Sequence, residues 1–92
     1  MTQVPDELTG IQVTVRYFAA ARAAAGTETE TAALRSGATV TELVDTLAEH
    51  NERLATVLKR CSYLCDGVAV RDESAVLQAG QTIDVLPPFA GG

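Results

Sequence analysis

The sequence has no tryptophan, only four aromatic residues and a single histidine among 92 residues. With so few large side chains, its core has to be assembled from Val, Ile, Leu and Ala, and it folds without a large margin. The length allows one domain around one modest core. Basic residues are also scarce, seven against twelve acidic, for a net charge of −5. They are scattered at Arg16, Arg22, Arg35, Arg53, Lys59, Arg60 and Arg71, without the basic, aromatic-interleaved stripe that nucleic-acid binding uses. The most apolar stretch, YFAAARAAAG, is interrupted by Arg22 and is far too short to span a bilayer. The N-terminal MTQVPDELTG lacks the basic and apolar regions of a signal peptide. Cysteine is limited to Cys61 and Cys65. On one strand, about 3.3 Å per residue would hold their Cα atoms roughly 13 Å apart, too far for a disulfide. These absences predict a cytoplasmic protein with reduced thiols, no nucleic-acid partner and no membrane.

Groups able to perform catalysis are equally few. His50 has no nucleophile, carboxylate partner or metal-ligand spacing around it and reads as an exposed or helix-capping histidine. Two thiols spaced C-x₃-C, with no second ligand pair, do not make a zinc or iron–sulfur site; they read as buried small apolar residues. Glu28 and Glu30 read as the wet face of a strand. Gly10, Gly26, Gly37, Gly67 and Gly80 fall singly at turns, so no glycine-rich loop is present to cradle a phosphate. The domain carries no self-sufficient active site and is expected to bind no metal or cofactor itself.

What the sequence does have is patterning. Residues 1–10 show no period, contain Pro5 and read as a mobile leader. IQVTVRYF alternates, with Ile11, Val13, Val15 and Tyr17 on one face of a half-buried strand and Phe18 opposite them. AAARAAAG follows as a short helix closed by Gly26, and TETETAALR as a second strand. Thr39-Val40-Thr41-Glu42 has the form of a capping box. Behind it Val40, Leu43, Val44, Leu47 and Ala48 make one apolar stripe, and Leu54, Val57 and Leu58 resume it after the weak point His50-Asn51. CSYLCDGVAV reads as a hairpin around Asp66-Gly67, a pair suited to a type I′ turn. DESAVLQAGQ reads as a connection with one helical turn, and TIDVLPP as a last strand ended by prolines. A long amphipathic helix needs a sheet to bury it. The order therefore predicts an α+β domain with a mixed four- to five-stranded sheet and one main helix across it.

The closing LPPFAGG is where chemistry is expected. Pro87-Pro88 stop the sheet and launch an extended segment, which from Pro87 to Gly92 reaches up to about 20 Å. Phe89 offers an aromatic anchor, and Gly91 and Gly92 have no side chains to obstruct a narrow channel. The α-carboxylate that ends them, with an ordinary pKa of about 3.3–3.7, is a poor electrophile. It needs activation by another protein, for example as an acyl-adenylate.

VTVRYFAAARAAAG and LQAGQTIDVLPPFAGG together resemble the MoaD/ThiS family of ubiquitin-like sulfur carriers, over residues 11–92, with the MoaD branch the nearer. The resemblance implies a β-grasp domain over 11–86 and an extended tail over 87–92. It implies adenylation of Gly92 by an ATP-using, MoeB-like activating enzyme, conversion to a thiocarboxylate by a sulfur donor acting through that system, and clearance at Gly91. The tail, Pro87, Pro88, Phe89 and Ala90 included, would insert into a MoaE-like large subunit. Sulfur would then pass to cyclic pyranopterin monophosphate in molybdenum cofactor biosynthesis. Phe18, Val70 and Leu86 match the family's apolar docking surface, and two small with two large subunits is the family's assembly. A carrier for thiamine thiazole or cysteine synthesis, a protein modifier conjugated through Gly92, and an interaction module with an inert tail are the alternatives.

Overall fold

The computed structural model describes residues 10–88. Eight elements follow in order: β1 (Gly10–Tyr17), α1 (Ala19–Ala25), β2 (Thr29–Arg35), α2 (Val40–Glu49), α3 (Glu52–Leu58), β3 (Ser62–Cys65), β4 (Val68–Ala69) and β5 (Thr82–Leu86). The five strands form one sheet in the order β2-β1-β5-β3-β4. β1 pairs parallel with β5, while the β1–β2, β3–β5 and β3–β4 pairs are antiparallel. The sheet is therefore mixed, as a strand regained after a long helical crossover allows.

The alternation in β1 places Val13, Val15 and Tyr17 under the helices with Ile83 and Val85 of β5 and Tyr63 of β3, all buried. The helical stripe of Val40, Leu43, Leu47, Leu54 and Leu58 closes over them as one core. The expected long helix is two: α2 ends at His50, and Asn51 opens α3 by accepting from the Leu54 N–H at 3.0 Å. Asn51 Nδ2 also donates to the Ala24 carbonyl at 2.9 Å, tying the break to the end of α1. His50 is the exposed C-cap of α2; its ring Nδ1 lies 2.8 Å from the Thr46 carbonyl. A carbonyl can only accept, so Nδ1 carries the proton.

The structure differs from the sequence reading at several points. Gly10, assigned to the leader, opens β1, and the remaining nine leader residues lie outside the described residues. The capping box is half formed. Thr39 Oγ1 accepts from the Glu42 N–H at 3.2 Å, but the Glu42 carboxylate turns to the Arg35 guanidinium, with Nε at 2.8 Å. The connection after β4 holds no helical turn. Asp72 instead accepts from the Ser74 N–H and hydroxyl, an Asx turn that hydrogen bonding to Ser74 keeps ionised below the usual carboxylate range. That loop supplies carbonyls of Ala75 and Glu73 to the Val40 and Thr41 N–H groups, at 3.2 and 2.9 Å, satisfying donors that the first turn of α2 leaves unpaired. Asp66 and Gly67 both take positive φ, 49° and 84°, the type I′ geometry their identities predict. Cys61 and Cys65 are free, as the strand distance requires, but only half buried. Cys61 precedes β3, and Cys65 is its last residue, paired with Val68 of the two-residue β4. Burial pushes both thiols up, Cys65 also through the Asp66 charge, so both are mainly protonated and weakly nucleophilic at neutral pH.

Both tyrosines are nearly fully buried. Tyr17 donates to Glu30 Oε1 at 2.7 Å and Tyr63 to the Leu58 carbonyl at 3.1 Å. Burial, reinforced at Tyr17 by Glu30 and at Tyr63 by Cys61 and Glu73, pushes each phenol well above its ordinary value. The folded state thus keeps protons that the unfolded chain releases near pH 10. Stability present below that pH is lost above it, by up to about 1.4 kcal/mol per pH unit for each tyrosine. In an alkaline titration, tyrosinate absorbance should rise only together with loss of the circular dichroism of the fold. Ordinary titration near pH 10 with the fold intact would contradict the buried geometry.

Candidate functional site

The last described strand leads directly to the tail. β5 lies between β1 and β3, and its pairings end at Tyr17↔Val85 on one side and Ser62↔Leu86 on the other. Pro87, half buried, has no N–H to continue either ladder, and Pro88 is exposed. The tail therefore leaves from the middle of the sheet, not from an edge. Phe89, Ala90, Gly91 and Gly92 lie outside the described residues.

Two surfaces flank this exit. On the helical side a shallow groove of about 370 Å³ is lined by Ala20, Thr56, Val57, Arg60, Pro87 and Pro88. The other is the sheet face away from the helices, formed by the opposite phase of the strand alternation. There Arg16 pairs in register with Asp84, Leu64 with the same Asp84, and Ser62 with Leu86. Leu64 and Leu86 are half buried. Phe18 is the exposed N-cap of α1, its N–H donating to the Val85 carbonyl at 3.2 Å. Ala19 after it takes a φ of 49°, a left-handed conformation that a non-glycine residue adopts only at a cost. That sharp turn ends β1 and starts α1 at once, leaving the phenyl ring on the surface. The Arg16 guanidinium carbon is 5.3 Å from the ring centroid, and its Nε lies 2.8 Å from Asp84 Oδ1. Oδ1 is buried, and this contact is charge pairing without hydrogen-bond alignment.

Of the residues singled out from the sequence, the structure brings Phe18, Leu86, Pro87 and Pro88 together around the exit. Val70 does not join them. It follows β4, donates its N–H to the Tyr63 carbonyl at 2.9 Å and packs half buried against the core. Its partner Tyr63 belongs to the core face, so Val70 lies on that side, away from Leu86. The register uncertainty of a two-residue strand made its face unreadable from sequence. Conversely, Leu64, Arg16 and Asp84 were missed as neighbours of Phe18. Their signal was the polar phase of the alternation in β1 and the apolar residue next to Tyr63. Among the described residues, no group of three or more His, Cys, Asp or Glu is gathered to hold a metal. No helix among them is long and apolar enough to cross a membrane.

The central strand is thus followed directly by two prolines and the closing glycine-ended segment. Residues 15–92, from the middle of β1 through the final glycine, match the ThiS family. The chain belongs to the ThiS family. A curated relative, the molybdopterin synthase sulfur carrier subunit of Chlamydomonas reinhardtii, is 30% identical over 83 residues, covering 89% of this chain and 100% of its own length. Among solved structures, the solution structure of the Haloferax volcanii HVO 2177 protein superposes with a TM-score of 0.81 at 26% identity, covering 91% of this chain and 89% of that one. A putative molybdopterin converting factor, subunit 1, from Pyrococcus furiosus gives a TM-score of 0.78 at 25% identity, with coverages of 86% and 99%. The ThiS-family fold, a β-grasp with helices packed on one face of a mixed sheet, is the architecture described above.

Proposed function

We propose that this chain is the sulfur carrier subunit of a molybdopterin synthase, with Gly92 as its reactive residue. The observation that carries the reading is the 30% identity to a relative of that name along the relative's whole length. The layout agrees with it: among the described residues no metal-binding cluster is gathered, and Pro87 and Pro88 follow the central strand and precede a glycine-ended segment.

Activation proceeds by attack of the Gly92 carboxylate on the α-phosphorus of ATP, held by a MoeB-like partner, with pyrophosphate leaving. Sulfide-level sulfur from a donor in that system then attacks the acyl carbon, the C–S bond forming as the C–O bond to AMP breaks, and a thiocarboxylate and free AMP result. In a MoaE-like large subunit, which supplies the substrate pocket, the thiocarboxylate delivers sulfur to cyclic pyranopterin monophosphate. Gly91 and Gly92 fit a channel that any side chain would block. Phe18 and Leu86 anchor the large subunit beside the exit, with Phe89 and Ala90 following into it. Val70 takes part only if the partner reaches round the β4 edge. The half-buried, protonated thiols suit a reducing, cytoplasmic setting.

Intact-mass measurement after incubation with the activating enzyme, ATP and a sulfur donor tests this. A gain equal to one oxygen replaced by sulfur is expected. No change with an activating enzyme shown to be competent would overturn the carrier reading, and covalent adducts on other proteins would identify a modifier instead.

A further inference from the structure

The face beside the tail exit is apolar at Phe18, Leu64 and Leu86, yet an ion pair stands among these residues. Asp84 lies in the central strand with a side chain 13% exposed, and Arg16 next to it is 50% exposed. The Arg16 guanidinium lies over the Phe18 ring, and its Nε is the nitrogen paired in charge with Asp84. Among the described residues, no acceptor is hydrogen-bonded to the terminal nitrogens of Arg16, whose side chain is half exposed. A guanidinium with Nε engaged presents its two terminal NH₂ groups as a fork, matched to a carboxylate.

A partner covering Phe18 and Leu86 also covers Arg16. Stripping water from its terminal donors without replacing their acceptors opposes binding. The overall charge adds discrimination. A chain of net charge −5 favours partner surfaces of opposite sign, but a basic group set against Arg16 would be repelled there.

We propose that Arg16 is a specificity-determining residue of the docking face, held in place by Asp84, and that it receives a carboxylate of the large-subunit partner. The inference rests on the docking role assigned to Phe18 and Leu86 above. Asp84 is the positioning residue: its buried charge, 2.8 Å from Nε, holds Arg16 beside Phe18 and leaves the terminal NH₂ groups for the partner.

Two double variants separate this from a purely structural ion pair, and neither changes the net charge. Arg16→Met with Asp84→Leu removes both charges together, so no buried carboxylate is left unpaired. Arg16→Asp with Asp84→Arg reverses the pair. Affinity for the purified large subunit of the same organism is measured by calorimetry across a salt series, with thermal midpoints recorded alongside. Both variants should melt near the parent and bind at least about tenfold more weakly, the cost of losing one charge-assisted contact. The reversed pair should lose most at low salt, where its outward carboxylate meets the partner's. Unchanged affinity in the apolar variant, or restoration of binding by the reversed pair, would overturn the proposal. Phe18→Ala and Leu86→Ala serve as the control. If they weaken binding while the apolar variant does not, only the role of Arg16 fails. If they too leave binding unchanged, the docking reading fails and takes this inference with it.

Discussion

A chain lacking Gly92 is expected to lose sulfur transfer completely while melting at the same temperature as the full chain. Every residue of the core cluster lies between Val13 and Val85, and the β5 pairings are complete at Leu86. Among the described residues, the core and the strand ladders are therefore complete without Gly92. On the proposed mechanism the loss of function should nonetheless be absolute, because a carboxylate one residue short would not reach the site of acyl transfer. A misplacement of about 1 Å alone costs on the order of 10²-fold in such reactions, and a residue spans roughly 3.3–3.6 Å of extended chain. The measurements are single-turnover sulfur transfer to the pterin substrate and the calorimetric midpoint. Residual transfer at the parental rate would show that the terminal carbon is not the reacting atom. A drop in the midpoint would make the tail a structural element.

Leu43→Ala should have the largest effect on the fold. Leu43 is fully buried and is among the largest of the completely enclosed side chains, with Ile83, Val13, Val15, Val40 and Val85. It stands in the first turns of α2, where the stripe meets the sheet. Truncation at such a site costs about 2–5 kcal/mol, against a total of about 5–15 kcal/mol for a typical domain. For a domain of this size each kcal/mol moves the midpoint by about 4–8 °C, so a fall of about 8 °C or more is expected in thermal denaturation. Two features leave little reserve: there is no tryptophan, and much of the apolar content is alanine. A shift of only a degree or two would mean that the helices collapse onto the cavity and that their packing is looser than described. The two predictions separate the protein into a scaffold, whose failure is thermodynamic, and a terminus, whose failure is chemical.

The docking residues show where reading from sequence stops. Phe18 was placed opposite the buried phase of β1, and the structure finds it exposed, because alternation along a single strand is a local property. The family resemblance places Val70 on the same surface, but its face depends on how β4 registers against β3, and two paired residues give no pattern to read. Glu42 has the spacing of a capping residue, yet it pairs with Arg35 because the turn after β2 brings that guanidinium to the start of α2. In the sequence, His50-Asn51 reads as a weak point in a helix. That Asn51 restarts it by bonding both Leu54 and Ala24 depended on α1 being packed alongside.

By itself, the sequence determined the elements with local causes: the buried phase of β1, the helical stripe from Val40 to Leu58, the Asp66-Gly67 turn and the last strand with its proline stop. It also marked the glycine-ended tail as the segment of interest, since no other grouping of residues offered chemistry. The tertiary structure decided that β5 lies between β1 and β3, so that the tail leaves from the centre of the sheet. It also decided that Arg16, Asp84, Leu64 and Leu86 share one face beside Phe18. Such neighbours are far apart in the chain, and their meeting depends on strand order and register. Those are set by the burial of the whole apolar surface at once, and the period of any one segment does not encode them.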